Sequence, residues 1–540
     1  MGYMGGKPGG TKAELEKAFQ ETFRAIFGEC NVTLEELKPY LLRNHYQPAV
    51  LRKSSVSGKD VVVSHSRYPE DARYVSQDEI DYLKKFQPLS INEIKDIDSL
   101  LEAIGDRIAY AGNKVFGNCA NFEKADNCTD SFHVYDAHTI VSSKYVALSA
   151  YVRSDSEYIF GSSPLIRGKY LIRVIGSDRL TRAFETCVTT NSSDMFFCLY
   201  CHGCSQAMFS FNQRAKRYVI GNLGLEKDKY FELRKKLVDE SREYIEKHKS
   251  FYSLFDFPPP TKEELSLVNV PRIPNPEGDM RPIDDAFADV TKLVLGKELR
   301  PVKKYEKFLT RRVEKVGKVK TPFGNEAYYA RYFWGANAPK ERIIRVEEGF
   351  ETAKVHVKPE DCEGADLKRM IKLMSPFAYY PIQFKEGENI NTTDTVCMYH
   401  SADTYQVADA TYAKKCAFCA HMQDCEAVFG SGTLLVGSKY SVRCYDCVNV
   451  TMCMEMDSCK NCHRCMFCHN CEDLSECLFC FNAKNLRYAI GNVEVGKEQY
   501  ERIRKMLAGE ILKSIEKDGD APFDIYDLGR RSGIRPSASR

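Results

Sequence analysis

The 540-residue sequence predicts an α+β fold with a tandem duplication, in which each copy has a narrow, Cys-lined β-solenoid-like stack closed by an amphipathic helix. Three observations lead to this prediction. A sequence box occurs once in each half of the chain, most of the cysteines occupy every third position, and a charged segment with helical periodicity follows each box.

The duplication rests on the pattern F-N-x4-R-Y-x-I-G-N, which begins at Phe211 and again at Phe481. Cys198 aligns with Cys468 at the same offset that separates these two phenylalanines. A pattern of this length does not match itself by chance, so we predict two copies of a module of about 200 to 250 residues.

Helices are predicted where apolar residues recur at one- or two-turn spacing. Two such segments follow the boxes, at residues 226–247 and 497–517, and a third lies at residues 11–26. Short hairpins with glycine at the turn are predicted at residues 51–59 and 309–318. The helices after the boxes are expected to pack on their own modules.

The predicted division of the chain follows the duplication and a proline-rich stretch between the copies. The predicted units are a mixed α/β region (1–115), the first solenoid-like repeat with its helix (116–250), a Pro-rich linker (251–300), a second mixed region (301–383), the Cys-rich second repeat with its helix (384–520) and a C-terminal tail (521–540).

The late cysteines form a lattice with a period of three. Between residues 444 and 480 there are thirteen lattice positions, of which ten are Cys and the others are Val450, Met456 and Leu474. A period of three fits neither the 3.6 residues of an α-helix nor the 2.0 of a strand. It fits a solenoid of small triangular or flattened coils, with the intervening Asn and Asp residues at tight corners.

Two interpretations of the lattice remain open, packing and metal binding. Cysteine is a small apolar residue that suits a narrow core, whereas repeated C-x2-C spacing is typical of zinc sites. The candidate metal ligands are Cys416, Cys419, Cys444, Cys447, Cys459, Cys462, Cys465, Cys468, Cys471, Cys477 and Cys480, with His421, His463 and His469 nearby.

The first copy favours packing over metal binding. At the positions that match the cysteines from 459 to 480, it has Thr189, Ser192, Met195, Cys198, Cys201, Ala207 and Ser210, with Cys204 opposite a leucine. A ligand set cannot change in this way and keep its metal, since a structural zinc needs four ligands. We therefore expect either no cofactor or zinc, with packing as the preferred role.

Composition narrows the class of protein. The formal net charge of +2 argues against nucleic-acid binding through bulk charge, although the aromatic and basic run at residues 328–334 keeps an RNA- or ribosome-associated factor as an alternative. No apolar run reaches the roughly 20 residues that span a bilayer, so no membrane insertion is expected. So many cysteines without a secretion signal indicate a cytoplasmic protein. No P-loop, H-E-x-x-H or G-x-S-x-G motif is present.

The second copy resembles a group of uncharacterised cysteine-rich repeat proteins of candidate-phylum bacteria and archaea. In that group a C-x2-C series leads into a box similar to LRNKKYCIFN and then into a KEEYEK helix; here Leu486–Asn492 and Lys497–Tyr500 stand in these places. The resemblance covers about residues 395–510 and, more weakly, 128–240. This sequence lacks the C-P-x-C ribbon that often precedes the series, and the resemblance implies no activity.

These observations predict a non-enzymatic structural or interaction protein, with no catalytic residues. It is expected to form a homo-oligomer or to dock on a large protein assembly through its Cys-rich repeats. The first alternative is a zinc-binding or redox metalloprotein that uses C-x2-C pairs of the second repeat. The second alternative is the RNA- or ribosome-associated factor.

Overall fold

The computed structural model describes residues 10–43, 49–64, 66–153, 155–161, 165–166, 168–173, 175–177, 180–185, 187–275, 277–331, 333–408, 414–418, 426–432, 435–436, 439–443, 445, 447–448 and 451–530. Within these residues the fold is mixed α/β, with eleven α-helices and several small sheets. The α-helices are α1 (Gly10–Phe27), α2 (Leu34–Leu42), α3 (Ile97–Ile104), α4 (Lys227–His248), α5 (Lys262–Ser266), α6 (Arg281–Leu295), α7 (Glu306–Leu309), α8 (Val346–Thr352), α9 (Pro359–Gly364), α10 (Leu367–Leu373) and α11 (Lys497–Asp518). Short 3-10 helices lie at Gln77–Glu79, Gly105–Arg107, Val302–Tyr305, Phe333–Ala336, Lys340–Arg342 and Ser375–Phe377.

The strands of the N-terminal half of the chain are β1 (Val50–Lys53), β2 (Asp60–Val63), β3 (Tyr74–Ser76), β4 (Tyr110–Gly112), β5 (Val115–Phe116), β6 (Ala120–Thr129), β7 (Phe132–Val141), β8 (Lys144–Ala147), β9 (Ala150–Arg153), β10 (Glu157–Phe160), β11 (Leu165–Ile166), β12 (Gly168–Ile172), β13 (Ile175–Ser177), β14 (Leu180–Phe184), β15 (Cys187–Thr189), β16 (Ser193–Phe196), β17 (Ser205–Met208), β18 (Arg217–Ile220) and β19 (Leu223–Gly224). Those of the C-terminal half are β20 (Gly317–Lys320), β21 (Glu326–Tyr329), β22 (Ile343–Ile344), β23 (Tyr380–Pro381), β24 (Phe384–Glu386), β25 (Ile390–Thr393), β26 (Cys397–Tyr399), β27 (Ala402–Tyr405), β28 (Leu435–Val436), β29 (Cys447–Val448), β30 (Met454–Asp457), β31 (Met466–His469), β32 (Ser475–Leu478), β33 (Arg487–Ile490) and β34 (Val493–Glu494).

Two stretches of parallel strands have the same pairing offset. We call β5–β19 the first stack and β24–β34 the second stack. In the first stack Ser193 pairs with Ser205, which pairs with Arg217. In the second, Met454 pairs with Met466. The chain therefore returns to the same place after twelve residues in most pairs, and after thirteen where β5 pairs with β6, β8 with β10, β9 with β11 and β24 with β26. Each stack ends in an antiparallel pair, formed by β18 with β19 and by β33 with β34.

The period of three has a backbone cause. Every third residue from Met452 to Gly491 has a positive φ, between 46° and 57°. A left-handed residue at every third position turns the chain at regular intervals. Four left-handed residues therefore fall within each offset of twelve residues. The register of the strands depends on how successive turns stack on one another. The residues of a single turn do not encode this stacking.

Side chains at the left-handed positions form ladders along the stacks. Asn461 donates to Asp473 at 3.0 Å, and Asn470 donates to Asn482 at 2.9 Å. These polar residues tolerate left-handed backbone and hydrogen-bond to the same position one turn later. The aromatic rings of Phe467 and Phe479 continue the pattern with stacked centroids 5.0 Å apart.

The predicted helices are present with small changes of boundary, as α1, α4 and α11. In α11 the four apolar residues that predicted the helix, Tyr500, Ile503, Leu507 and Ile511, are all buried. The helix packs on β32 and β33 of the second stack, and α4 packs on β18 of the first. The amphipathic pattern therefore marks a helix that covers one side of its stack.

One predicted hairpin is present and the other is wrong. Residues 51–59 comprise the end of β1 and the turn that connects it to its antiparallel partner β2. Leu309, by contrast, ends α7, and the hairpin that follows is formed by β20 and β21. Its turn contains Gly324 with φ +93°, and Thr321 donates its backbone N–H to the carbonyl of Asn325. The chain therefore reverses at the turn that contains Pro322 and Gly324, and not at Gly317 as predicted.

The stretch predicted as a Pro-rich linker, 251–300, includes both α5 and α6, so it is only partly irregular. Pro282 stands in the first turn of α6, where proline is compatible with a helix. Among the helices that the structure describes, none has the length and apolar content that a bilayer crossing requires.

Candidate functional site

The candidate site is the interior of the two stacks, because the lattice cysteines point there. In the second stack one buried apolar cluster contains ten lattice residues, Cys453, Met456, Cys459, Cys462, Cys465, Cys468, Cys471, Leu474, Cys477 and Cys480, together with Val407, Cys416, Val428, Ala483 and Ala489. The first stack has a matching cluster that contains Cys128, Cys198, Cys201 and Cys204 among Ala, Val, Ile and Met. The inward positions of both stacks therefore form narrow cores of small side chains.

Buried thiols in these cores donate to the backbone of the coils. Sγ of Cys459 lies 3.3 Å from the carbonyl oxygen of Asp457 and 3.3 Å from that of Cys468. Sγ of Cys471 repeats the arrangement, at 3.2 Å from His469 and 3.3 Å from Cys480. Each thiol thus lies between a carbonyl of its own turn and one of the next, and its single proton is donated to this pair of acceptors inside an otherwise apolar core.

Serine makes the same contacts in the first stack. Oγ of Ser192 lies 3.1 Å from the carbonyl oxygens of both Thr190 and Cys201, which are the acceptors for its single proton. The hydroxyl also accepts the backbone N–H of Cys204 at 3.1 Å. Cysteine and serine are therefore interchangeable at inward positions, because both supply a small donor at the same place.

The structure brings together most of the predicted ligands. Cys416, Cys459, Cys462, Cys465, Cys468, Cys471, Cys477 and Cys480 are all buried in the core of the second stack. Cys447 lies in β29, and Cys419, Cys444 and His421 lie outside the described residues. His463 is exposed. In the described part of the chain, no group of three or more Cys, His, Asp or Glu side chains has the arrangement of a metal site.

The thiol pKa values move in two directions. Burial raises the pKa of Cys471 to about 11 and that of Cys459 well above its usual range. Hydrogen bonds from Cys459 and Cys465 lower the pKa of Cys462 instead. The thiols of the second stack are therefore inequivalent, with donors and acceptors that contact one another inside the core.

A buried polar network, which the sequence did not reveal, lies beside the second core. Nδ1 of His469 is 2.7 Å from Oδ2 of Asp457, and the hydroxyl of Tyr68 donates to the same oxygen at 2.7 Å. Nε2 of His469 accepts the backbone N–H of Ala111 at 2.8 Å. Since an amide can only donate, Nδ1 carries the proton and the imidazole is neutral; burial lowers the pKa of His469 and keeps it so.

This network assigns both nitrogens of His469 to protein partners rather than to a metal with the neighbouring cysteines. Tyr68 and Ala111 come from the other half of the chain, and a contact between such distant segments leaves no local pattern. The sequence contained only a weak signal for this network, which is the spacing of Asp457 and His469. The two residues are twelve positions apart and pair directly between β30 and β31.

Comparison of the chain with protein-family models, curated proteins and solved structures finds no significant similarity. The resemblance of residues 395–510 to cysteine-rich repeat proteins therefore stays a prediction.

Proposed function

We propose that the protein is a non-enzymatic structural or interaction protein, in which two tandem Cys-lined solenoids form a scaffold that self-associates. The observation that carries the proposal is that the buried thiols contact main-chain carbonyls. Buried thiols such as those of Cys459 and Cys471 donate to coil carbonyls, as Ser192 does in the first stack. A core in which serine substitutes for cysteine is explained by packing and hydrogen bonding.

Self-association is proposed through the first coil of the first stack. Within the described residues, Ala120–Ala125 of β6 pairs on one side only, with β7. Cys119 and Phe122, which pack against the core of this stack, are half-buried at this end. The opposite end is closed by β19. An open strand edge beside half-buried core residues is a surface on which another strand can pair.

The proposed partner at this edge is a second copy of the chain. Glu123 and Lys124 are adjacent on β6 and carry opposite charges. Antiparallel pairing about a two-fold axis sets Glu123 of one copy against Lys124 of the other, which gives a self-complementary contact. A cytoplasmic location belongs to the same proposal, because a chain with 22 cysteines and with buried thiols such as those of Cys459 and Cys471 suits a reducing compartment.

Light scattering after size exclusion, over a concentration series, tests the proposal. The full chain is expected to increase in mass with concentration from its monomer mass of 61.6 kDa. Phe122→Lys at the open end should abolish the increase, whereas Leu223→Lys at the closed end should leave it unchanged. Thermal melts verify that both variants fold. A strictly monomeric chain at high micromolar concentration contradicts the proposal.

The alternatives are tested on the same protein. Metal analysis of the native chain is expected to find at most two zinc ions, and four or more would favour a zinc-binding or redox metalloprotein instead. Binding of RNA with a steep dependence on salt would favour an RNA- or ribosome-associated factor. Neither result is expected if the cysteines pack the core.

A further inference from the structure

The two halves of the chain exchange the same hydrogen bond. Nδ2 of Asn212, in the first stack, donates to the carbonyl of Tyr379 in the second half of the chain at 3.2 Å. Nδ2 of Asn482, in the second stack, donates to the carbonyl of Ala109 in the first half at 2.8 Å. Asn482 matches Asn212, and Tyr379 matches Ala109, at the offset of the sequence duplication. One contact is therefore the reciprocal of the other.

A second contact is reciprocal in the same sense. The hydroxyl of Tyr380 donates to the carbonyl of Leu254 at 2.6 Å, and the hydroxyl of Tyr110 donates to the carbonyl of Ile525 at 2.7 Å. Both tyrosines are buried. Each therefore satisfies a carbonyl of the opposite half that is shielded from water.

A third contact involves the helices that cover the stacks. Glu240 of α4 accepts the backbone N–H of Leu367 at 2.6 Å, and Glu510 of α11 accepts that of Ile97 at 3.0 Å. Each donating N–H lies at the start of a helix, α10 or α3, where a carboxylate is favourable. The region before each stack thus packs on the stack and helix of the other half.

All three contacts join a side chain to a main-chain group. Such a contact depends on where the backbone of the opposite half lies and not on the side chain there, which differs at Ala109 and Tyr379. The geometry is that of an isologous interface, in which the same patch of two similar units meets itself about a two-fold axis.

We infer that the two halves are interaction partners in their own right, held by this reciprocal interface and not by the segment that links them. The partner that each half recognises is a unit of the same design, and the chain is a covalently joined pseudo-dimer. This inference is independent of the proposed self-association, which uses the β6 edge.

Cleavage of the link tests the inference on the full chain. A specific protease site is inserted between Pro260 and Thr261, where Thr261 is exposed, and the folded protein is then cut. The fragments 1–260 and 261–540 are expected to co-elute as one species with the mass that the uncut protein shows at the same concentration. Fragments that elute separately after cutting would overturn the inference.

A matched pair of variants tests which contacts hold the fragments together. Tyr110→Phe with Tyr380→Phe leaves the carbonyls of Ile525 and Leu254 without these donors, and the dissociation constant of the cut fragments should rise at least fivefold. Tyr244→Phe is the control, because the ring of Tyr244 stacks on Tyr252 and is tilted against His248, both within its own half. An equal rise in both would contradict a role for the reciprocal contacts.

Discussion

The guanidinium Nε of Arg443 lies 3.2 Å from a carboxylate oxygen of Glu455, and both side chains are buried one turn apart in the second stack. Arg173 and Glu185 form the matching pair in the first stack, at 3.9 Å and almost as deeply buried. Each half therefore contains one buried ion pair at the same position. Removal of one partner leaves a buried charge without that counterion, which is the most costly way to disturb such a pair.

Burial raises the pKa of Glu455 to about 8, so the pair is fully charged only above that pH. At about pH 9, Glu455→Gln is expected to lower the free energy of unfolding by about 3 to 5 kcal/mol, since Arg443 then keeps its buried charge without its nearest counterion. Urea denaturation measures the loss. Glu351→Gln is the control, because Glu351 pairs with Lys354 at 2.6 Å on the surface, where a pair contributes less than about 1 kcal/mol. Similar losses for both variants would show that the buried pair does not stabilise the fold.

Substitutions at Cys471 separate packing from metal binding. Cys471→Ser should change the free energy of unfolding by less than about 1 kcal/mol, because a hydroxyl can donate to the carbonyls of His469 and Cys480 as the thiol does. Cys471→Leu should destabilise by about 1 to 3 kcal/mol through overpacking of the narrow core.

Metal content is measured on the same two variants, beside urea denaturation. A serine variant that loses bound zinc and unfolds with it would identify Cys471 as a ligand. If the leucine variant were as stable as the serine variant, the core would not be closely packed at this position, and the packing account would be wrong.

The sequence predicted what depends on local periodicity. The period of three identified the inward residues from Cys453 to Cys480, and helical spacing identified α4 and α11. The twelve-residue turn was not predictable, because all inward positions of the lattice carry similar residues and nothing marks where a turn closes. The contacts of Asn212 and Asn482 were hidden for a different reason: each acceptor is a main-chain carbonyl, which has no residue-type signature.

Stability is expected to fall as the pH drops below about 6.5, the ordinary pKa of histidine. Burial lowers the pKa of His469, so the folded state binds fewer protons than the unfolded state below that pH. Each such proton can lower the free energy of unfolding by up to about 1.4 kcal/mol per pH unit. Protonation also removes the acceptor for the N–H of Ala111. The groups around the imidazole are Asp457, Tyr68 and the Lys114–Asp126 pair.

His469→Leu tests this assignment, since Leu199 occupies the matching position of the first stack. The variant should be less stable at pH 7, because Asp457 loses a partner, and its stability should depend less steeply on pH between 7 and 5. Urea denaturation at a series of pH values gives both quantities. An unchanged slope would assign the pH dependence to other groups, such as His202, whose pKa burial lowers to about 3.

Two glycines at the interface between the halves give the last prediction. Gly221 and Gly491 have φ +58° and +50°, and a Cβ on either would overlap a side chain of the opposite half, Val357 or Ile104. Gly203 has a similar φ of +62°, but its nearest neighbour, the backbone N of Ala215, is 3.8 Å from where a Cβ would lie. The comparison therefore separates the conformational cost of alanine from the steric cost.

Gly203→Ala is expected to lose about 1 to 2 kcal/mol of unfolding free energy, the usual cost of a left-handed alanine. Gly221→Ala and Gly491→Ala should each lose about 1 to 3 kcal/mol more, because the new methyl group pushes the halves apart. With the protease site cut, these two variants should also release their fragments at lower urea concentration than Gly203→Ala does. If all three lost the same stability and released fragments alike, the close approach of the halves at Val357 and Ile104 would contribute nothing to the fold.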